Sequence, residues 1–289
     1  MNMAFYHRNT STMKEIAMTD RVAQLVSLVK GLSQDSVSKP TLVYFNIVGI
    51  AWPIRVLLHL EKIDYDYVPV TIMDWITPGP DGTQILKHAF RNHHVPLYVD
   101  QEVYLDQSMQ IVTTLAERAG MLGVNQSERI AVQAVLAHCY DALFHFNGLL
   151  PVNIRLNIAD DVAQARLESF MGGEPWGLAT NGYRNQLSAF VNYLESNHSD
   201  SGFMVGDAMT AADLWAFNVL CNWFKAFDRQ VFSTEFRQLD TYIQHIAEQP
   251  GIASYIREVQ EPTIWFPLPD VAMRLTSPED LKGLVSLPD

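Results

Sequence analysis

A change in hydrophobic pattern along the chain limits the folds that it can adopt. Between Thr41 and Glu117, short apolar strands alternate with helical stripes, whereas after Gly123 the apolar residues recur with a helical period. Alternating strands and helices are typical of a small α/β domain with a mixed sheet, and consecutive helices are typical of an all-α domain. The sequence therefore predicts an α/β domain followed by an all-helical domain.

The expected organisation has four parts. Residues 20–32 place their apolar side chains mostly on one helical stripe. This amphipathic helix can pack on the body of the protein, on a partner or, less readily, on a membrane surface. The four parts are an N-terminal extension over 1–40, an α/β domain over 41–123, an all-helical domain over 127–261 and an extended tail over 262–289.

Composition and charge exclude several classes of protein. The formal net charge is −12, which does not favour binding to nucleic acid or stable association with anionic lipid. No apolar run reaches the roughly 18 to 20 residues that span a bilayer. Cys139 and Cys221 lie in apolar helical segments, so we expect buried free thiols in a reducing cytoplasm. His93 and His94 have no third ligand at a suitable spacing, and no metal site is expected.

The stretch His93–Glu117 carries the strongest functional signal. Pro96 leads a short apolar strand, a polar turn and a second strand follow, and Asp106, Gln107 and Ser108 then open a helix. The first N–H groups of a helix lack intrahelical partners and carry partial positive charge, so this position suits a carboxylate ligand. Asp106 or Ser108 can equally cap the helix, and the two roles are compatible.

A second helix start has a structural signal. Thr210 and Asp213 have the spacing of a capping box, in which Thr210 accepts the N–H of Asp213 and the carboxylate of Asp213 accepts that of Thr210. We assign this pair no chemistry.

Four segments, in this order, resemble the glutathione transferase superfamily, in its Tyr-type, sigma-like branch. They read TLVYFNIVGIAWPIRVLLHL, VPLYVD with LDQSMQIVTTLAERAGMLG, FMVGDAMTAADL, and IAEQPGIASYI. The resemblance runs from about Thr41 to Val259. It implies a thioredoxin-like N-terminal domain, an all-α C-terminal domain and a two-fold homodimer. It also implies glutathione as co-substrate and a small apolar electrophile as the second substrate.

The resemblance implies roles for individual residues. Tyr44 matches the tyrosine that hydrogen-bonds the glutathione sulfur and favours the nucleophilic thiolate. Val95 and Pro96 match a cis-proline element, in which the main chain of the preceding residue pairs with the cysteinyl main chain of glutathione. Gln107 and Ser108 match the pair that holds the γ-glutamyl group. The ordinary alternatives are a core tyrosine, a trans turn and a helix cap.

Three further residues match the family less specifically. Lys87 and His94 stand where related enzymes bind the glycyl carboxylate. Asp141 stands where an acid reaches across the dimer interface to the γ-glutamyl ammonium, an interaction that would offset the desolvation of that cation. Each of the three also fits a solvated surface residue.

The loop after Tyr44 departs from the family pattern. Val48 and Ile50 replace two arginines, and Trp52 replaces an acid. The resemblance therefore implies weaker activation of the thiolate and a more apolar electrophile side. Three functions remain open: a transferase, a prostaglandin-type glutathione-dependent isomerase on the same scaffold, and a non-catalytic binding or structural protein.

Overall fold

The computed structural model describes four stretches of the chain. They are residues 20–149, 183–197, 199–226 and 234–259. The predicted tail over 262–289 and a helix expected over 160–172 lie outside these stretches, as do residues 1–19 of the extension.

The chain packs into two compact units, each made of two pieces. Unit 1 is Met1–Asn46 with Ile63–Ile111, and unit 2 is Ile47–Lys62 with Val112–Asp289. The segment Ile47–Lys62 thus belongs to the same unit as the C-terminal helices.

The described helices and strands of the two units follow one another along the chain. They are α1 (20–31), β1 (Thr41–Phe45), a 3₁₀ turn (Gly49–Ala51), α2 (Trp52–Leu60), β2 (Asp66–Val70), α3 (Ile72–Ile76), a second 3₁₀ turn (Lys87–Ala89), β3 (Leu97–Val99), β4 (Tyr104–Leu105), α4 (Ser108–Arg118), α5 (Gln126–Leu149), α6 (Tyr183–Ser196), α7 (Ala211–Ala226), α8 (Arg237–Ala247) and α9 (Pro250–Glu258).

The four strands of unit 1 form one mixed sheet in the order β2-β1-β3-β4. β1 pairs parallel with β2 and antiparallel with β3, and β4 pairs antiparallel with β3. The turn between β3 and β4 is held by Asp100, because its carboxylate accepts the N–H groups of Glu102 and Val103 at 2.8 Å. The predicted strands and the mixed sheet are confirmed.

Helix α1 is part of the core of unit 1. Val22, Leu25 and Val29 recur at helical spacing, and all three are buried in one cluster with Val43 of β1 and Leu97 of β3. Of the three surfaces that the amphipathic pattern allowed, the helix therefore covers the body of its own unit.

Helix α3 begins at a capping box that the sequence analysis missed. The Thr71 hydroxyl accepts the N–H of Asp74 at 3.0 Å, and the Asp74 carboxylate accepts the N–H of Thr71 at 2.8 Å. Arg21 of α1 donates to the same carboxylate at 3.1 Å. One buried acid therefore caps α3 and also ties α1 to it.

The sequence predicts a short helix around residues 83–91, and the structure has only the 3₁₀ turn Lys87–Ala89 there. The carboxylate of Asp81 accepts the N–H of Thr83 at 3.0 Å and its hydroxyl at 2.7 Å. Such local side-chain bonds compete with the bonds that a helix would need at its start.

Unit 2 is built around the buried helix α7. Trp52 of α2 packs against Phe217 of α7, with ring centroids 5.2 Å apart, and against Tyr255 of α9 at 5.9 Å. Cys139 and Cys221 are free and buried, as predicted.

The capping arrangement at the start of α7 differs in part from the prediction. The Asp213 carboxylate accepts the N–H of Thr210 at 2.8 Å, as expected. The Thr210 hydroxyl, however, donates to that carboxylate at 3.0 Å, and the N–H of Asp213 goes to the Thr210 carbonyl. Met204 N–H and the Tyr242 hydroxyl also donate to Asp213, at 2.8 Å and 3.1 Å. A buried carboxylate attracts every nearby donor, which explains why the hydroxyl turns towards it.

Candidate functional site

Tyr44 lies on the central strand β1 and is 4% exposed. Side chains alternate between the two faces of a strand. Val43 and Phe45 pack in the cluster that includes α1, so Tyr44 lies on the opposite face of the sheet. Its ring is 5.6 Å from that of Phe45, and its Cα partner on β2 is Pro69.

The peptide bond between Val95 and Pro96 is cis, as the sequence analysis expected. Pro96 is buried and leads directly into β3, while Val95 is half-buried. Within the described part of the chain, the N–H and C=O groups of Val95 make no hydrogen bond. Both groups are thus available to an extended ligand.

Helix α4 begins at Ser108, the predicted position. Gln107 is exposed, and Ser108 is 5% exposed. The Ser108 hydroxyl makes no hydrogen bond to any described residue, so it does not cap the helix. The first turn of α4 contains no acidic side chain. The start of α4 therefore presents the Ser108 hydroxyl and the partial positive charge of its first N–H groups to an anionic ligand.

Asp106 is not the cap of α4 either. Its carboxylate accepts the main-chain N–H of Asn92 at 3.2 Å and the side-chain amide of Asn92 at 2.8 Å. Next to this pair, Arg91 stacks 3.6 Å above the ring of Tyr104. Burial raises the pKa of the Tyr104 phenol, and the charge of Arg91 opposes that shift. Together these contacts fasten the segment before Pro96 to the segment before α4.

Lys87 and His94 lie in this same fastened segment. Lys87 is half-buried, and its carbonyl oxygen is 3.2 Å from Nδ1 of His93. His94 is exposed, and its Nδ1 contacts the carbonyl oxygen of Asn92. His93 has a positive φ of 58°, which folds the chain back over Lys87.

Asp141 lies apart in sequence and belongs to unit 2. It is exposed on α5. The other seven predicted site residues all belong to unit 1.

The loop after Tyr44 belongs to unit 2. It is buried there at positions where its residues differ from the family pattern. Val48 and Trp52 are buried. Arg55 donates to the carbonyl of Val48 at 2.9 Å, and Asn218 of α7 donates to the carbonyl of Gly49 at 3.2 Å. The replacement of charged residues by Val48 and Trp52 therefore serves core packing.

The described residues form neither a membrane-spanning helix nor a metal-binding cluster. None of their helices has the length and hydropathy that crossing a bilayer requires. Their His, Cys, Asp and Glu side chains include no group of three placed to hold a metal ion.

Known proteins resemble the chain in sequence and in fold. A family model described as "Glutathione S-transferase, C-terminal domain" matches residues 178–258. Glutathione S-transferase 4 of Caenorhabditis elegans is 26% identical over 220 residues, covering 74% of this chain and 94% of that protein. A glutathione S-transferase of Tyrophagus putrescentiae is 25% identical over 229 residues, covering 79% and 94%. A solved glutathione S-transferase structure from C. elegans is 27% identical, with a TM-score of 0.57 and coverage of 76% and 98%.

These comparisons all support the glutathione S-transferase superfamily for this chain. The superfamily named by the resemblance is thus supported, although its Tyr-type, sigma-like branch is not, and the predicted fold class of a thioredoxin-like domain and a helical domain is confirmed. Sequence reasoning missed four residues that hold the site loops, namely Arg55, Arg91, Asn92 and Asn218. Asn92 and Asp106 are fourteen residues apart, so no local spacing reveals their pairing. Arg55 could have been recognised, because it is a charged residue within the apolar sequence of α2 and a charge placed there needs a polar partner.

Proposed function

We propose that the protein is a glutathione transferase, which conjugates the thiolate of glutathione to small apolar electrophiles. One observation carries the proposal: the loop that ends at the cis bond Val95–Pro96 is hydrogen-bonded through Asn92 to Asp106. That bond joins a main-chain pairing element to the helix start at Gln107 and Ser108. The names of the relatives support glutathione as the ligand.

In the proposed binding mode, each part of the tripeptide has its own partner. The N–H and C=O of Val95 pair with the cysteinyl main chain, as an added strand would. Gln107 and the hydroxyl and N–H of Ser108 bind the γ-glutamyl carboxylate, because the helix start favours negative charge. Lys87 and His94 bind the glycyl carboxylate through charge-assisted hydrogen bonds.

Catalysis is assigned to Tyr44, in keeping with a Tyr-type, sigma-like enzyme. Its phenol donates a hydrogen bond to the glutathione sulfur and stabilises the thiolate, which then attacks the electrophile. Thiols titrate near pH 8.5, so stabilising the anion by about 1.4 to 3 kcal/mol would lower the thiol pKa by about one to two units. The electrophile is small and apolar, because the partly buried Ile50 stands where the family pattern has an arginine.

The first experiment measures glutathione binding by calorimetry. We expect binding in the micromolar to millimolar range. Replacing Ser108 by Ala should weaken it by about three- to tenfold, because one hydrogen bond to a charged group is lost. No detectable heat at millimolar glutathione would refute the proposed function.

The second experiment measures conjugation of chlorodinitrobenzene by the wild type and by Tyr44→Phe. The substitution should lower the rate at neutral pH by about 10- to 100-fold, which corresponds to one to two pKa units. Tyr67→Phe is the matched control, because the Tyr67 hydroxyl donates to the Phe45 carbonyl at 2.7 Å on the neighbouring strand. Equal rates for Tyr44→Phe and wild type would remove Tyr44 from the mechanism.

A non-catalytic binding protein is the second candidate. The observation that favours it is the burial of Val48 and Trp52, at positions where the family pattern has an arginine and an acid. This function predicts glutathione binding with no conjugation above the uncatalysed rate. A prostaglandin-type isomerase would use the same residues and would turn over its substrate without net consumption of glutathione.

We propose a homodimer formed through an exposed face of α5. Ile130 is 58% exposed and Tyr140 is 39% exposed, and the exposed Ala134 and Ala137 lie at helical spacing between them. Asp141 adjoins this face, and in the dimer it reaches the γ-glutamyl ammonium of glutathione bound by the partner. Light scattering on the wild type and on Ile130→Glu tests the dimer, and Asp141→Asn should weaken glutathione binding.

We place the protein in the cytoplasm. The support is the pair of free, buried thiols, Cys139 and Cys221, which suits a reducing compartment. Fractionation of cells that express a tagged protein tests this assignment.

A further inference from the structure

Helix α1 is fastened to unit 1 at both of its ends. At its start, Nε of Arg21 donates to both carboxylate oxygens of Asp74 at 3.1 Å, and a second nitrogen donates to the Pro69 carbonyl at 3.1 Å. Just beyond its end, the side-chain amide of Gln34 donates to the carbonyl of Glu102. Pro69 belongs to β2, and Glu102 lies in the turn before β4. Because β2 and β4 are the two edge strands, α1 spans the sheet from one edge to the other.

Between these two ends, α1 packs against side chains that flank the proposed ligand loop. Its three buried residues share one cluster with Leu86 and Phe90. Val95 and Tyr104, both partly buried, pack against the same cluster. Val95 carries the main-chain groups that we assign to glutathione. The cluster that α1 completes therefore supports the ligand loop from inside unit 1.

Asp74 connects Arg21 to helix α3. Its carboxylate is 1% exposed and caps α3 by accepting the N–H of Thr71. Among the described residues, Arg21 is the one cation that pairs with this carboxylate. Removing the cation would leave a buried negative charge with a single main-chain donor, which is unfavourable. The start of α3 would then have to move so that water reaches the carboxylate.

Helix α3 contacts the ligand loop through aromatic rings. The ring of Trp75 lies 5.5 Å from that of Phe90 and 5.4 Å from that of Phe45. Phe90 is the one buried residue in the loop over residues 87–94, and its carbonyl accepts the N–H of His93 at 3.2 Å. Close-packed side chains transmit displacements to their neighbours. A movement of α3 therefore reaches the main chain that leads to Val95.

We propose that Arg21 is a positioning residue for glutathione, which holds the loop before Val95 in its binding conformation through Asp74, Trp75 and Phe90. This inference rests on the proposed function, because it names a residue that supports the same ligand loop. Arg21 is bonded to Asp74 and Pro69 and to none of the residues assigned to the ligand, so its effect passes through the protein. The N-terminal extension thereby contributes to ligand affinity.

The first test compares glutathione binding by the full-length wild type and by Arg21→Gln, using calorimetry. The substitution should weaken binding by about three- to tenfold, because a charge-assisted pair that orders the loop is lost. Gln34→Ala is the matched control, since it removes the hydrogen bond at the other end of α1, away from the ligand loop. It should keep the wild-type dissociation constant. Each variant is measured at a temperature at which circular dichroism shows it to be folded.

A second pair of variants assigns the effect to Asp74. Asp74→Asn removes the buried charge and keeps an oxygen that can accept the N–H of Thr71. Residues that act through one contact have non-additive effects. Arg21→Gln combined with Asp74→Asn should therefore bind glutathione no more weakly than Arg21→Gln alone. A double variant whose loss is the product of the two separate losses would overturn the proposed route.

Hydrogen exchange measures the same route in the absence of ligand. In Arg21→Gln, the hydrogen-bonded amide of Trp75 in α3 and those of Phe90 and His93 in the loop should exchange faster than in the wild type. The amide of Asp100, which donates within the turn between β3 and β4, should keep its rate. A role in overall stability alone would raise exchange throughout unit 1, whereas a positioning role raises it in these two segments.

The outcomes separate this inference from the proposed function. Wild-type binding together with an unchanged dissociation constant for Arg21→Gln would overturn the inference and leave the proposed function intact. Faster exchange in α3 without faster exchange at Phe90 and His93 would do the same. Failure of the wild type to bind glutathione would overturn both.

Discussion

Two loops beside strands of the same sheet are held in opposite ways. The loop over residues 87–94, before β3, is largely exposed, and the Asn92–Asp106 pair holds it at the surface of unit 1. The loop over residues 47–51, after β1, is largely buried in unit 2, and its carbonyls are bound by Arg55 and Asn218. Polar contacts that water can reach hold the first loop, and core packing holds the second.

This difference explains where the chain departs from its superfamily. A surface loop can exchange basic residues at small cost in stability, because each contact there is exposed to water. A loop within a core cannot, because a charge placed there needs a partner. Val48 and Trp52 therefore belong to a repacked core, and restoring one family residue would not restore the family's electrostatics.

Truncation of Trp52 should have the largest effect on the comparison between the two loops, because this side chain packs in the core that holds the buried loop. Its indole is buried against Phe217 and Tyr255, so Trp52→Ala should lower the free energy of unfolding by about 3 to 5 kcal/mol. Urea denaturation measures the change. Met73→Ala is the control, because Met73 is 53% exposed and should change stability by about 0.5 kcal/mol or less. A loss below about 1 kcal/mol for Trp52→Ala would show that the core does not hold the loop.

Asn218→Ala should have the next largest effect. The substitution removes a buried side chain and one of the two hydrogen bonds to the Gly49 carbonyl, which also accepts the Trp52 N–H, and it should cost about 1.5 kcal/mol of stability. Glutathione affinity of the folded variant should change little, because Asn218 is assigned no contact with the ligand. An Asn218→Ala variant that keeps its stability but binds glutathione more weakly would contradict this comparison, in which the buried loop serves packing and the exposed loop serves binding.

Asn92→Ala should show the reverse pattern. Its bonds to Asp106 are only partly buried, so stability should fall by about 1 kcal/mol. Affinity for glutathione should fall by a larger factor than for Asn218→Ala, because the loop before Pro96 loses its attachment. Denaturation and calorimetry on the two variants together give the comparison.

The smallest expected effect is a pH slope at Asp213. Burial raises the pKa of its carboxyl, while hydrogen bonds from Met204, Thr210 and Tyr242 oppose that shift. A raised pKa means that the folded state holds the proton more tightly than the unfolded state. The carboxyl's contribution to stability is then fully present below the unfolded pKa of about 3.9 and is lost as pH rises through the folded pKa. The difference in unfolding free energy between wild type and Asp213→Asn, followed from acid to neutral pH, should fall accordingly.

Most of the fold could be predicted from local patterns. Four strands, the position of α4 and the helices of unit 2 within the described residues follow from apolar periodicity and turn residues. The error over residues 83–91 arose because Asp81 engages Thr83 locally, and periodicity does not report such competition. The residues that join distant segments, such as Arg21 with Asp74, have no local signature.

The individual elements of the candidate site could be predicted from the sequence, but the contacts that join these elements could not. The helix start at Ser108 and the cis bond before Pro96 were expected from the sequence. The bond between Asn92 and Asp106 was not, since either residue alone reads as a turn or a cap.

The position of α1 has a consequence for dividing this protein into fragments. A fragment that begins at Thr41 would keep all four strands and yet leave the sheet residues Val43, Leu97 and Val99 without the cover of Val22, Leu25 and Val29. An uncovered apolar face of that kind promotes aggregation. The independently folding portion of the chain therefore starts before Thr41, where the sequence resemblance begins, and deletion libraries or domain fusions should keep residue 20 as their outer limit.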